Sequence, residues 1–249
     1  MRPFQEPGGN HQFVAGATFE QITDLYSFDR KLRVIFLDAL DRVEVGLRAA
    51  TTQALCQLHG SHWYLDSANF LPTADHGALV ASLQEEIGHD DERKRAVHVH
   101  HYYSNYDDPP MPPSWMLLEA LSFGSLVHIL RKLNAQNLKA ISRLIGITDP
   151  ALKSWCLSLS YLRNLCAHHE RVWNRTYTIK PFITSQHRVD LTPNDKTYAQ
   201  AVVLYTMLGL FSARTGWKSR LAGLFTDHPN VDLAKMGFPN GWDGRQVWR

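Results

Sequence analysis

Apolar residues recur at three- and four-residue intervals along most of this chain, which is the spacing of one face of an α-helix. The first run begins after Thr18, which has Gln21 three residues later as in a capping box, and it continues to Gly60. It is either one long helix or two helices joined near Ser27. Later runs predict helices over residues 75–88, 114–130, 135–145, 195–212 and 217–225, and one more that begins near Asp149.

Little in the sequence has the alternating pattern of a β-strand, and only residues 176–179 favour a brief strand pair. We therefore predict an all-α helical bundle. Residues 1–17, with several Gly and Pro, should form a flexible lead-in, residues 18–225 a single helical domain, and residues 226–249 a loop-like extension that docks by its aromatic side chains. No internal repeat, Walker loop, GxGxxG or nucleophile elbow occurs, so the sequence gives no support to the enzyme classes that depend on those motifs.

The composition of the chain indicates in which cellular compartment it works and how it could bind a nucleic acid. With 249 residues and 44% hydrophobic content, the chain can bury a large core. The formal net charge is only +2, so any grip on a polyanion must come from local basic patches. Three dispersed cysteines argue against a disulfide framework, and no apolar run resembles a signal peptide or a membrane span. We expect a cytoplasmic protein with no membrane contact.

Unusual polar chemistry is concentrated in the helix that begins near Asp149. No Gly or Pro occurs in it between Pro150 and Pro181, and helical spacing places Tyr161, Asn164, His168 and Arg171 in one stripe. Arg163 and His168 are separated by about 140° and about 7.5 Å in an ideal helix, a gap that an arginine side chain can close. A guanidinium and an imidazole that converge can hold a phosphate and exchange protons with it near neutral pH.

The string RNLCAHHERVWNR at residues 163–175 resembles the R-N-x-x-x-H signature of HEPN-domain ribonucleases, and in its full length it resembles the Abi (abortive infection) branch of that superfamily. A bare Arg and His at this spacing is common by chance, whereas the double His followed by Trp-Asn-Arg is specific. Two upstream blocks also resemble this family in the expected order: FEQITDLYSFDRKLR at residues 19–33 and PSWMLLEALSFG at residues 113–124.

The resemblance implies a HEPN-like bundle and a metal-independent endoribonuclease without a cofactor, which cuts RNA by attack of a 2′-OH on the adjacent phosphate and leaves a 2′,3′-cyclic phosphate. His168 would move the proton, Arg163 would stabilise the phosphoryl charge, and Asn164 would orient the imidazole or contact the phosphate. His169 and Arg171 are secondary candidates. The family also implies a two-fold homodimer with a composite active site, a role in phage defence, and control by an RNA or protein antitoxin.

Glu119 and a basic stretch are further candidates for the site. Glu119 is a lone carboxylate among apolar residues, so it either lies exposed or is buried and pairs with Arg163 or His168. Residues 91–106 interleave basic and aromatic side chains, as RNA-binding segments do, or they form a surface helix whose tyrosines pack into the core. The RNA-binding candidates in this stretch are Arg93, Lys94, Arg95, His98 and His101.

Two other functions remain open from the sequence. The same motif residues could grip phosphate without cutting it, in a non-catalytic RNA-binding or partner-sensing module. A metal-dependent hydrolase built on His98, His100 and His101 is a weaker alternative, because no carboxylate or Cys stands at a supporting ligand spacing. Cleavage of RNA in the presence of EDTA separates all three.

Overall fold

Nine α-helices, short 3-10 turns and no β-strand make up the regular structure of Phe4, residues 12–212 and residues 215–249, which are the residues that the computed structural model describes. The all-α prediction is confirmed, and the strand pair expected at residues 176–179 is wrong. The predicted lead-in of residues 1–17 lies outside the described residues except for Phe4 and residues 12–17. The helices are α1 (Phe19–His59), α2 (His76–Glu86), α3 (Val97–Asn105), α4 (Ser114–Ala120), α5 (Phe123–Lys132), α6 (Ala135–Ile145), α7 (Asp149–Ala167), α8 (Thr197–Phe211) and α9 (Trp217–Asp227).

Helix α1 is the axis of the bundle, and it is a single helix of 41 residues. Both hydrogen bonds of the capping box are present, from Thr18 N–H to Gln21 Oε1 at 3.1 Å and from Gln21 N–H to Thr18 Oγ1 at 3.3 Å. The helix ends at Gly60, whose φ of 81° suits a residue without a Cβ. Helices α4, α6, α7, α8 and α9 all pack against it. Its buried face is a heptad-like series formed by Phe28, Leu32, Phe36, Leu40, Val43 and Leu47.

The helix predicted over residues 114–130 is two helices. Helix α4 ends before Leu121, and Ser122 begins α5 as its N-cap, accepting the N–H of Ser125 at 3.2 Å. Ser114 does not cap α4, because Pro113 holds the N-cap position and no side chain bonds there. Trp115, near the start of α4, is half exposed, whereas Leu117 and Leu118 are buried. Helix α5 then packs along α7 and supports the motif helix.

The C-terminal part of the chain packs by its aromatic rings, as predicted. The indole rings of Trp217 and Trp248 lie parallel with centroids 6.1 Å apart, and Tyr205 stacks on Trp248 at 4.7 Å. Phe238 and Trp242 are buried beside them. Within the described residues, no helix is both long enough and apolar enough to cross a membrane.

Candidate functional site

Helix α7 holds the motif with one face fixed in the core. Trp155, Leu159, Leu162 and Cys166 are buried on that face, and the indole N–H of Trp155 donates to the carbonyl of Phe182 at 2.9 Å. Arg163 lies half-buried and Asn164 exposed on the other side of the helix. The separation of an apolar face from a polar one, predicted from helical spacing, is therefore present up to residue 167.

The helix ends earlier than the sequence indicated. Ala167 is its last residue, His168 is the C-cap, and His169 adopts a left-handed conformation with a φ of 58°. The N–H of His169 bonds the carbonyl of Cys166 at 3.3 Å and that of Glu170 bonds Leu165 at 2.9 Å, which is the hydrogen-bond pattern of a Schellman motif. Glycine usually occupies the left-handed position, so a sequence without glycine there gave no sign of the helix end. Arg171 consequently lies in the following loop and not in the helical stripe.

The three motif side chains lie at this helix end. The guanidinium of Arg163 donates from Nη1 to Asn164 Oδ1 at 3.3 Å, which orients the Asn164 side chain with its oxygen towards Arg163. His168 is exposed and its backbone N–H caps the carbonyl of Asn164 at 2.9 Å. Among the residues described here, no hydrogen bond engages the imidazole of His168. Its ring is thus accessible for proton transfer, and Asn164 is held by Arg163 and not by the imidazole.

A buried aspartate that the sequence analysis did not single out fixes the chain beyond the motif. Asp29 Oδ1 accepts the backbone N–H groups of Val172 at 2.9 Å and Trp173 at 2.7 Å, and Oδ2 pairs with Arg33. Asp29 and Arg33 are 7% and 6% exposed, so this ion pair lies within the core and not on the solvated surface of α1. The tether positions residues 168–173 against the first half of α1. A possible signal was their i,i+4 spacing within the family-like block at residues 19–33.

Glu119 is exposed on α4, and no ion pair within the described part of the chain involves it. Of the two alternatives for this residue, the exposed one is therefore present, and the buried pairing with Arg163 or His168 is not. The carboxylate near Arg163 is instead Glu44 of α1. Partial burial raises the pKa of Glu44, and the positive charges of Arg48 and Arg163 oppose that rise. Glu44 is also bonded to Arg48, so its charge is shared between two arginines.

The loop that follows α7 is closed by an ion pair. Arg175 Nη2 donates to Glu170 Oε2 at 2.9 Å and lies 3.4 Å from the hydroxyl of Tyr161, while its Nη1 donates to the carbonyl of Arg171 at 3.0 Å. Arg175 therefore has a structural role in holding the loop to α7. The side chain of Arg171 is exposed and forms no ion pair with any residue that the structure describes.

A cavity of about 810 Å³ opens beside the motif, between the first half of α1 and the end of α7. Its α7 side is formed by Cys166 and Ala167, followed by His169 and Arg171 in the loop. His168 is not part of its lining although both neighbours are. Burial raises the pKa of the Cys166 thiol to about 12, so this cysteine is not a nucleophile at neutral pH. Sequence spacing could not reveal this cavity because its two walls come from distant segments.

The predicted RNA-binding stretch divides into exposed and structural residues. Arg93 and Lys94 in a 3-10 turn and His101 on α3 are exposed, and Arg93 pairs with Asp91 at 3.0 Å. Arg95 donates to the carbonyls of Gly88 at 2.9 Å and His89 at 2.7 Å. His98 bonds the carbonyl of Met116 at 3.1 Å.

The aromatic rings of this stretch are mostly occupied as well. Tyr102 is buried, and the guanidinium of Arg95 lies 4.6 Å over the ring of Tyr103. Tyr106 is exposed and stacks with Tyr102. No group of three or more His, Cys, Asp or Glu side chains in the described residues could hold a metal ion. The stretch thus exposes positively charged side chains, but few of its aromatic rings have a face free to stack with a base.

The sequence was compared with protein families, with curated proteins and with solved structures. The family model described as Abi-like protein matches residues 1–174, well over half of the chain, and so includes α1 to α7 and the loop up to Asn174. No curated protein and no solved structure matches the chain.

Proposed function

This chain belongs to the Abi-like protein family, and from that membership and the geometry of its motif we propose that it is a metal-independent endoribonuclease of the HEPN type. The role proposed for it is phage defence by abortive infection, through degradation of RNA and under the control of an RNA or protein antitoxin. The choice of RNA as the substrate rests on the resemblance of the motif at residues 163–168 to that of HEPN ribonucleases.

One observation carries the proposal. Arg163 and Asn164 lie together on the outer face of α7, and His168 stands exposed one turn later with its imidazole free of hydrogen bonds to the residues described. A fixed cation and amide next to a free imidazole can bind a phosphodiester and exchange protons with it.

The proposed reaction needs only these groups. The 2′-oxygen of one nucleotide attacks the adjacent phosphorus, the bond from phosphorus to the 5′-oxygen of the next nucleotide breaks, and the products end in a 2′,3′-cyclic phosphate and a 5′-hydroxyl. His168 takes the proton from the 2′-hydroxyl or gives one to the departing 5′-oxygen. Arg163 stabilises the negative charge that develops on the phosphoryl oxygens, and Asn164 donates its amide N–H to the same phosphate.

One imidazole cannot stand on both sides of the phosphorus at once. We therefore include in the proposal a two-fold homodimer in which the helix ends of two copies meet, so that one His168 acts as base and the other as acid. The exposed position of His168 at the end of α7 supports this arrangement, because nothing within the described chain covers it. Such a site would be incomplete in the monomer.

The test is cleavage of end-labelled single-stranded RNA in excess EDTA. The wild-type protein should cut it and leave 2′,3′-cyclic phosphate ends, and His168→Ala and Arg163→Ala should each reduce the rate by on the order of a hundredfold or more while remaining folded. Matched controls are His128→Ala on α5 and Arg143→Ala on α6, which are exposed and far from the motif in sequence. Equal cleavage by His168→Ala and wild type would refute the assignment.

The rival function is a module that binds RNA or a partner without cutting. Its motif would hold phosphate in the same way, so the protein would retain labelled RNA in a filter-binding assay. The RNA would remain intact both with and without EDTA. Cleavage that EDTA abolishes would instead favour a metal-dependent enzyme. These outcomes are distinct from the expected one.

A further inference from the structure

The cavity beside the motif has the lining of a ligand site. Its volume of about 810 Å³ falls within the ~300–1,000 Å³ of typical small-molecule sites. Most of its wall is apolar, and two of the side chains that form it, Tyr26 and Val34, are more than half exposed. The other apolar residues in the described wall are Phe4, Ile22, Leu25, Leu37, Cys166, Ala167 and Trp173.

The charge around the cavity is positive and uncompensated. Arg30 and Arg171 line it, and neither forms an ion pair with any residue that the structure describes. Among the lining residues that the structure describes, Asp29 is the one acidic side chain, and it is already bonded to Arg33 and to the amides of Val172 and Trp173. A ligand with an anionic group and a flat apolar body suits this combination. A nucleotide has both, since any base can stack on an aromatic face and its phosphate can meet an arginine.

The cavity begins next to the residue proposed to move the proton. Ala167 and His169 both line it, and His168 lies between them, with successive Cα atoms ~3.8 Å apart. A phosphate held at His168 and Arg163 would therefore have its attached nucleoside within reach of the opening.

We propose that this cavity is the subsite for one unpaired nucleobase of single-stranded RNA, belonging to a nucleotide next to the phosphate that is cut. The inference rests on the proposed function and adds a substrate class to it. A base in a duplex is stacked and paired, so it cannot enter; single strands, loops and bulges are the substrates. Arg30 and Arg171 hold the neighbouring phosphates, and Tyr26 provides the face on which the base stacks.

The experiment uses two valines on the same helix. Val34 lines the cavity and is 55% exposed, whereas Val45 is 56% exposed and does not line it. Val34→Glu and Val45→Glu are made in the His168→Ala chain, so that RNA binding is measured without cleavage. Affinity for a labelled single-stranded oligonucleotide should fall on the order of tenfold or more with Val34→Glu and much less with Val45→Glu. Circular dichroism and thermal melting establish that both variants are folded.

Free ligands and a modified substrate give a second measurement. Uridine and adenosine 5′-monophosphates should compete with the oligonucleotide for binding to the protein, and inorganic phosphate should compete far more weakly. In Val34→Glu, the nucleotides should compete as weakly as phosphate does. In wild-type protein, an abasic nucleotide beside the cut site should raise KM with a smaller effect on kcat. Equal loss of affinity in the two glutamate variants, or competition by phosphate as strong as by the nucleotides, would overturn the inference.

The remaining outcomes separate this inference from the proposed function. If Val34→Glu leaves nucleotide affinity unchanged but lowers the mass seen by light scattering, the cavity is a contact between copies and the subsite is refuted. Val34→Glu and Val45→Glu are also made in the wild-type chain: if these two bind and cut RNA alike while His168→Ala is inactive, the ribonuclease proposal stands without this subsite. If nucleotides bind in the cavity but wild-type protein cuts no RNA, the ribonuclease proposal fails. The cavity is then not a subsite for an RNA substrate, so this inference fails as well.

Discussion

Asp29 on α1 accepts the backbone N–H of Trp173 at 2.7 Å, although the two residues are 144 positions apart in the chain. The same carboxylate pairs with the buried Arg33. This carboxylate therefore fixes the backbone of Val172 and Trp173, four and five residues beyond the motif histidine, against α1.

Asp29→Ala should therefore destabilise the protein strongly. It leaves the Arg33 charge and two backbone N–H groups buried without partners, a change that costs about 3–5 kcal/mol in comparable buried pairs. The free energy of unfolding, measured by urea denaturation, is the readout. Asp38→Ala is the control, because Asp38 pairs with Arg42 and Arg220 at the surface and should cost less than about 1 kcal/mol. Similar losses in the two variants would contradict a buried tether.

His169 offers a test of backbone strain at the helix end. A non-glycine residue with a φ of 58° costs roughly 1 kcal/mol relative to glycine, and a β-branched residue costs more. His169→Gly should leave the free energy of unfolding unchanged within about 1 kcal/mol or raise it, since the greater chain entropy of glycine offsets part of the gain. His169→Val should lower it by about 1–2 kcal/mol. A stabilising valine would show that the left-handed turn does not form.

Within the basic turn at residues 91–95, Arg95 should contribute to folding stability, whereas Arg93 and Lys94 should contribute to RNA binding. Arg95→Ala removes bonds from a guanidinium to the carbonyls of Gly88 and His89, so it should lower the free energy of unfolding by roughly 1–3 kcal/mol. Replacing Arg93 and Lys94 together should change stability by less than about 0.5 kcal/mol. If the turn binds RNA, that double variant should also flatten the salt dependence of binding, and an unchanged slope would exclude the turn from the interface.

Mixing two inactive variants tests the composite site. In a dimer of one Arg163→Ala and one His168→Ala subunit, the shared pocket retains one intact residue of each kind, so RNA cleavage should partly return. Dilution below the dimer dissociation constant should remove activity by mass action. Full specific activity in a sample shown to be monomeric by light scattering at the assay concentration would refute the dimeric site.

Burial of His187 should make stability depend on pH. The ring packs edge-on against Trp155 at 5.4 Å, and burial lowers its pKa below the usual 6.5, an effect that Asp190 opposes in part. The unfolded chain then binds more protons than the folded one just below pH 6.5, so the free energy of unfolding falls as the pH drops through that range. Urea denaturation at pH 7.5 and 5.5 should show a smaller decrease in His187→Gln than in the wild type.

The sequence alone determined the helical class, the position of α1 with its capping box, the starts of α2 and α6, the approximate start of α8, and the placement of Asn164 on the polar face of α7. These features depend on neighbours within about one or two helical turns, which a periodic pattern records directly. The end of α7 could not be found in this way, because a histidine occupies the left-handed position where glycine is the usual signal.

Only the tertiary structure decided which charged residues are buried and what they meet. Asp29 and Glu119 are both acidic residues within helices, yet Asp29 is buried because Arg33 and two loop amides compensate its charge, whereas Glu119 is exposed and forms no ion pair with a residue that the structure describes. The cavity beside His168 exists only because α1 and the end of α7 are brought together. The ion pair of Asp29 with Arg33 is local, but the amides of Val172 and Trp173 that complete its burial lie more than 140 positions away, and only packing supplies them.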